Sequence, residues 1–154
     1  MRLLFVCTGN TCRSPLAEVI ARQAAAARGL APITVASAGT GAWADAPASD
    51  GSLLVALEHG LDLNAHRAQP LTAEVVAASD LVLTMGPSHL ERVEALGGSG
   101  RAWMLGEYAT GAAHAVGDPF GGDLAVYRET YEELERLIEA ALDRLQRERP
   151  SVSA

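Results

Sequence analysis

The chain has 154 residues, 49% of them hydrophobic and 20% charged, a size and mix that suit one soluble globular domain with its own core. Its formal net charge of −7 leaves no basic stripe to neutralise phosphates, which argues against nucleic acid or an anionic membrane as partner, and no apolar run approaches a membrane span or a cleavable signal. All twelve basic residues are arginine, which removes lysine-based chemistry, and the two cysteines, Cys7 and Cys12, form neither a disulfide framework nor a zinc ligand set.

In chain order, residues 2–6 read as a first strand built on the apolar run Leu3-Leu4-Phe5-Val6. Residues 15–28 follow as an alanine-rich helix with Ser14 as N-cap, Pro15 at the first helical position and Glu18 in the first turn. Residues 33–37 read as a second strand, after which Gly39 and Gly41 turn the chain. Helices are predicted over residues 52–59 (ended by Gly60), 73–78 and 88–96, with strands over 81–85 and 101–105 between and after them. The clearest helix runs over residues 124–149, where Tyr127, Tyr131, Leu134, Ile138, Leu142 and Leu145 recur at three- and four-residue spacing and mark a core face. Residues 1–149 thus make one domain, and residues 150–154 read as a flexible C-terminal tail. This strand–helix alternation predicts an α/β fold: a four-stranded parallel sheet with helices on both faces, binding its ligand beyond the carboxyl ends of the strands.

Cys7 stands at such an end. In Cys7-Thr8-Gly9-Asn10-Thr11-Cys12-Arg13-Ser14, five residues separate a thiol from an arginine, and the turn delivers its backbone N–H groups to a helix N-terminus, where anions bind. The helix end and the guanidinium both favour a thiolate, and the planar fork of Arg13 suits two oxygens of a phosphoryl group. Taken singly, Cys7 also suits a buried strand-end cysteine and Arg13 a surface cation; residue type, spacing and context together point to nucleophilic attack on phosphorus. Asp118, in Gly117-Asp118-Pro119-Phe120-Gly121-Gly122, is presented on an irregular loop. Alone it reads as a turn aspartate. With the Cys7 loop it supplies the proton that a departing atom needs and then deprotonates water for hydrolysis of phosphocysteine.

The segment from Val6 to Pro15 resembles the phosphate-binding loop of the low-molecular-weight protein tyrosine phosphatase family, and Asp118-Pro119-Phe120 resembles its general-acid loop. Similar segments lie between them, including Ser37-Ala38-Gly39-Thr40, His66-Arg67 and the run from Ala78 to Met85, so the likeness runs from Met1 to about Arg147. It implies a flavodoxin-like fold and a cysteine-dependent protein phosphatase needing neither cofactor nor metal. Cys7, Arg13 and Asp118 would be catalytic, with Thr8, Gly9, Asn10, Thr11, Cys12, Ser14 and Phe120 at the substrate. Asn10, Ser14, Ser37 and His66 match the family's bracing residues, whereas His59, His89 and His114 match nothing and read as ordinary surface or helix-end histidines.

Tyrosine phosphatases of the family usually carry a bulky aliphatic residue where this chain has Thr11 and tyrosine where it has Phe120. Its bacterial protein-arginine phosphatases carry threonine in the loop, which points to phosphoarginine; neutral drift in a phosphotyrosine enzyme is the alternative. A hydroxyl wall suits a guanidinium whose N–H donors an isoleucine would leave unpaired. Cys12 is read equally as a redox partner for Cys7 and as a small packing residue. Arsenate reductases on this fold need further downstream cysteines, which are absent, and a non-catalytic phosphate-binding module would need neither Cys7 nor Asp118. A cytoplasmic monomer acting on phosphorylated proteins is expected.

Overall fold

The computed structural model describes residues 1–153. Four parallel strands form one sheet in the order β2-β1-β3-β4: β1 (Arg2–Cys7), β2 (Thr34–Gly39), β3 (Leu81–Thr84) and β4 (Ala102–Met104). β1 lies inside the sheet, paired from Arg2↔Thr34 to Cys7↔Gly39 on one side and from Leu3↔Leu81 to Val6↔Thr84 on the other. A central parallel strand is covered on both faces, which is why it reads as an unbroken apolar run rather than an alternation.

Leu3, Phe5 and Cys7 share the larger core with Leu81, Leu83, the apolar face of α1 (Arg13–Ala27) and that of α6 (Leu124–Glu148). Leu4 and Val6 share the smaller core with Val76 of α3 (Ala73–Ala77), Val82 and Val93 of α4 (Pro87–Val93). Each fully buried leucine or phenylalanine contributes about 1.5–3 kcal/mol, so this double layer holds the end of β1 firmly in place. α2 (Asp50–Glu58) is capped by Ser49 and followed by Gly60 at φ 73. All six apolar positions predicted on α6 are buried, and Asp123 caps it by accepting from Val126 N at 3.1 Å.

Several boundaries differ from those expected. α1 begins at Arg13 with Cys12 in the N-cap place and no side-chain cap. Ser14 is instead inside the helix, its hydroxyl committed to neighbours on the loop, and Pro15 occupies the third helical position, whose N–H would have no helical partner in any case. The fourth strand ends at Met104, where the chain turns directly into α5 (Leu105–Thr110), closed by Gly111 at φ 82. α4 stops at Val93 and runs on through a wide turn, Glu94–Gly98, in which Gly97 takes φ 99. Within the span read as a flexible tail, Pro150–Val152 forms a 3₁₀ turn that buries Val152 against the core. No helix among the described residues is long and apolar enough to cross a membrane.

Candidate active site

The carboxyl end of β1 releases the chain into residues 8–12, which curl before α1 begins. The curl is pinned from outside by backbone bonds: Thr40 N donates to Cys7 O, Gly41 N to Thr8 O and Ser49 N to Thr11 O, at 3.0, 2.9 and 2.9 Å. Gly39 is required where β2 passes, because a Cβ there would stand 2.4 Å from Thr8 O and 2.9 Å from Asn10 N. Cys7, Thr8, Gly9, Thr11, Cys12, Arg13, Asp118 and Phe120 together line a cavity of about 220 Å³.

Asn10 and Ser14, expected at the substrate, do not line it; both are fully buried beneath the loop. Asn10 takes the left-handed backbone at φ 55, which a short amide side chain tolerates. Its Oδ1 accepts from Gln69 N at 2.9 Å, which fixes the amide orientation, and its Nδ2 donates to Ser14 Oγ at 2.8 Å and Ser37 Oγ at 2.9 Å. Ser37 spends its own proton on Glu18 Oε1 at 2.6 Å. Ser14 Oγ, which accepts from Asn10, lies 2.9 Å from Cys7 Sγ and 3.5 Å from Ala38 O, so its one proton is within reach of both the sulfur and the carbonyl. His66 Nε2 donates to Asn10 O at 2.7 Å from the far side. Ser37 and His66 therefore stand where the sequence reading placed them.

Arg13 is 7% exposed; Nη1 donates to Val116 O at 2.9 Å, Nη2 lies 3.7 Å from Asp118 Oδ2, and Nε is buried without a partner. A buried guanidinium with unused donors facing a cavity is suited to a bound oxyanion. Asp118 is half-exposed, and its Oδ1 accepts from Phe120 N at 3.1 Å, so the turn-aspartate bond and the position at the cavity occur together. Phe120 is 74% exposed at the rim. Cys12 is buried, its thiol donating to Ser49 Oγ at 3.2 Å and lying 3.5 Å from the Tyr127 hydroxyl. Burial first, and then the hydrogen bond with Cys12, push the Tyr127 phenol up, so it remains protonated. Both cysteines are free thiols.

One residue that bonds the loop escaped the sequence reading. His89 is buried on α4 with Nε2 2.8 Å from Thr8 Oγ1, which corrects its assignment as an ordinary histidine; a lone histidine on a short helix carries no partner signal in sequence. Trp43 is 84% exposed on the segment after β2 whose ends bond the loop at Thr8 and Thr11. His59 stacks on Tyr131 with ring centroids 3.8 Å apart, and His114 is exposed.

The model of the family described as low molecular weight phosphotyrosine protein phosphatase matches residues 2–151. The chain belongs to this family. It is 38% identical over 151 residues to a protein-arginine-phosphatase of Bacillus subtilis, covering 97% of this chain and 99% of the relative. It is 41% identical over 143 residues to the low molecular weight protein-tyrosine-phosphatase PtpB of Staphylococcus haemolyticus, covering 90% and 95%. A solved YwlE arginine phosphatase, a C7S mutant with a phosphorylated active site serine, superposes with a TM-score of 0.92 at 37% identity over 97% of this chain and 99% of that one. The expected family and the single-domain parallel α/β fold are thereby borne out: the chain is a hydrolase of phosphorylated proteins.

Proposed function

We propose that this phosphatase removes phosphate from phosphoarginine in proteins through a phosphocysteine intermediate. The Cys7 thiolate attacks phosphorus while Arg13 and the amides of residues 8–13 hold the non-bridging oxygens. The P–N bond breaks as Asp118 gives its proton to the departing guanidine nitrogen; the Asp118 carboxylate then takes a proton from the water that attacks phosphocysteine, freeing phosphate and the thiolate. Thr8, Gly9, Thr11, Cys12 and Phe120 shape the substrate space, with Asn10 and Ser14 bracing it from beneath. A cytoplasmic setting and a monomer complete the reading.

The observation that carries the arginine reading is Thr11 on the cavity wall, with Asp118 lining the same cavity. A short hydroxyl and a carboxylate suit a planar cation with N–H donors, and a site built for such donors strongly rejects analogues lacking them. The B. subtilis relative and the YwlE structure, both named as arginine phosphatases, support it. Phosphotyrosine is the second reading, favoured by the exposed Phe120 at the rim, against which a phenyl ring can pack, and by the PtpB relative. Steady-state kinetics on phosphoarginine, phosphotyrosine and phosphoserine peptides decide between them. Wild type is expected to prefer phosphoarginine, and Thr11→Ile to shift the ratio towards phosphotyrosine by about tenfold or more. Faster hydrolysis of phosphotyrosine by wild type, with the ratio unmoved in Thr11→Ile, contradicts the assignment.

A further inference from the structure

His89 is 5% exposed, and its two ring nitrogens differ sharply: Nε2 stands 2.8 Å from Thr8 Oγ1, whereas Nδ1 is buried with no partner. Burial, and then the Arg13 charge, push the imidazole down to about 4 against the opposing pull of Asp118. The ring is therefore neutral near pH 7 and carries one N–H. A proton on Nδ1 would be a buried donor with no acceptor, which native structures rarely tolerate; a bare Nδ1 is the smaller loss. The network thus assigns the proton to Nε2, from which it is donated to Thr8 Oγ1.

The consequence falls on Thr8. Its oxygen already accepts from His89, so its own hydroxyl proton is left for another acceptor, and among the described residues Thr8 Oγ1 has no other hydrogen-bond partner. Thr8 is one of the residues lining the cavity, with Cys7, Gly9 and Arg13. Resting on the reading of this cavity as a phosphoryl site, we propose that His89 is a positioning residue: by donating from Nε2 it commits the Thr8 hydroxyl to donate to a non-bridging phosphoryl oxygen. The two threonines of the loop then divide the work. Thr8 faces the phosphoryl group, which every substrate shares, whereas Thr11 faces the leaving group, which differs between substrates.

The test compares wild type with Thr8→Val, His89→Leu, His89→Gln and the Thr8→Val/His89→Leu double variant. Each is measured for kcat/KM on a phosphoarginine peptide and on p-nitrophenyl phosphate, for competitive inhibition by inorganic phosphate, and for Tm. Loss of one hydrogen bond to a charged oxygen is expected to lower kcat/KM about tenfold in both Thr8→Val and His89→Leu, on both substrates, with phosphate inhibition weakened to match. The double variant is expected to fall no further, and His89→Gln, whose amide can still donate, to recover most of the loss. Losses that multiply in the double variant, unchanged phosphate inhibition in Thr8→Val, or a His89→Gln protein as impaired as His89→Leu each overturn the proposal. Thr8 is exposed, so Thr8→Val keeps the test alive if His89→Leu fails to fold. Both substrates are expected to fall together, so an enzyme that proves to prefer phosphotyrosine leaves this outcome untouched.

Discussion

Beneath Cys7, the side chains of Asn10, Ser14 and Ser37 are buried and bonded through Asn10 in a donor order that ends at Glu18, whereas Asp118 and Phe120, which line the same cavity, stand open to solvent. The first wall is held by at least five side-chain hydrogen bonds of 2.6–2.9 Å; the second by one bond at 3.1 Å and an ion pair at 3.7 Å. On the proposed mechanism the difference matches what each wall has to meet. A phosphoryl group is the same in every substrate and is best met by donors already in place, which need no reorganisation as charge develops. A protein-borne leaving group arrives from outside, and the group that protonates it has to be reachable at the mouth.

Substitution on each wall separates these roles. Asp118→Asn is expected to lower kcat by about 10²–10⁴ with Tm and phosphate inhibition unchanged, because the amide keeps the oxygen that accepts from Phe120 N but loses the transferable proton. A comparable loss of Tm, or phosphate inhibition weakened as much as kcat, would demote Asp118. On the other wall, Asn10→Ala is expected to cost about 3 kcal/mol or more of unfolding free energy together with activity, since it strands the groups of Ser14, Ser37 and Gln69 and places alanine at φ 55. Asn10→Gly relieves the backbone alone, so denaturant melts of the two variants divide the cost between conformation and hydrogen bonding.

A smaller effect is expected from acid. The folded chain keeps His89 neutral down to about 4, while the unfolded chain takes up that proton around the ordinary value of 6.5. Uptake by the unfolded state pulls the equilibrium its way, so this stability is present above 6.5 and is lost as pH falls towards 4. Tm measured across that window should decline less steeply in His89→Leu than in wild type; parallel curves would assign the acid loss to other groups.

The buried strands were legible because a central parallel strand shows as a short apolar run, and α6 because its core face repeats over 25 residues. α5 was not: its six residues begin where a strand pattern ends, and Gly106 and Thr110 are weak helix formers. Ser14 beside Pro15 imitates a helix cap, but its hydroxyl is engaged by Asn10 and Cys7, an engagement fixed by the curl of the loop rather than by local sequence. Cys7, Arg13 and Asp118 were found because their spacing or loop context carries chemistry. His89 lies 81 positions from Thr8, and only the packing of α4 beside the carboxyl end of β1 brings them together.

The most direct measurement is a rapid quench of Asp118→Asn protein mixed with p-nitrophenyl phosphate, whose leaving group departs without a proton, followed by mapping of the phosphorylated residue by mass spectrometry. Formation of phosphocysteine then bypasses the missing acid while its hydrolysis still lacks the base, so a phosphate on Cys7 is expected to accumulate before release. Continued turnover with no phosphate on Cys7, or turnover that survives in Cys7→Ser, would contradict a mechanism built on that thiol.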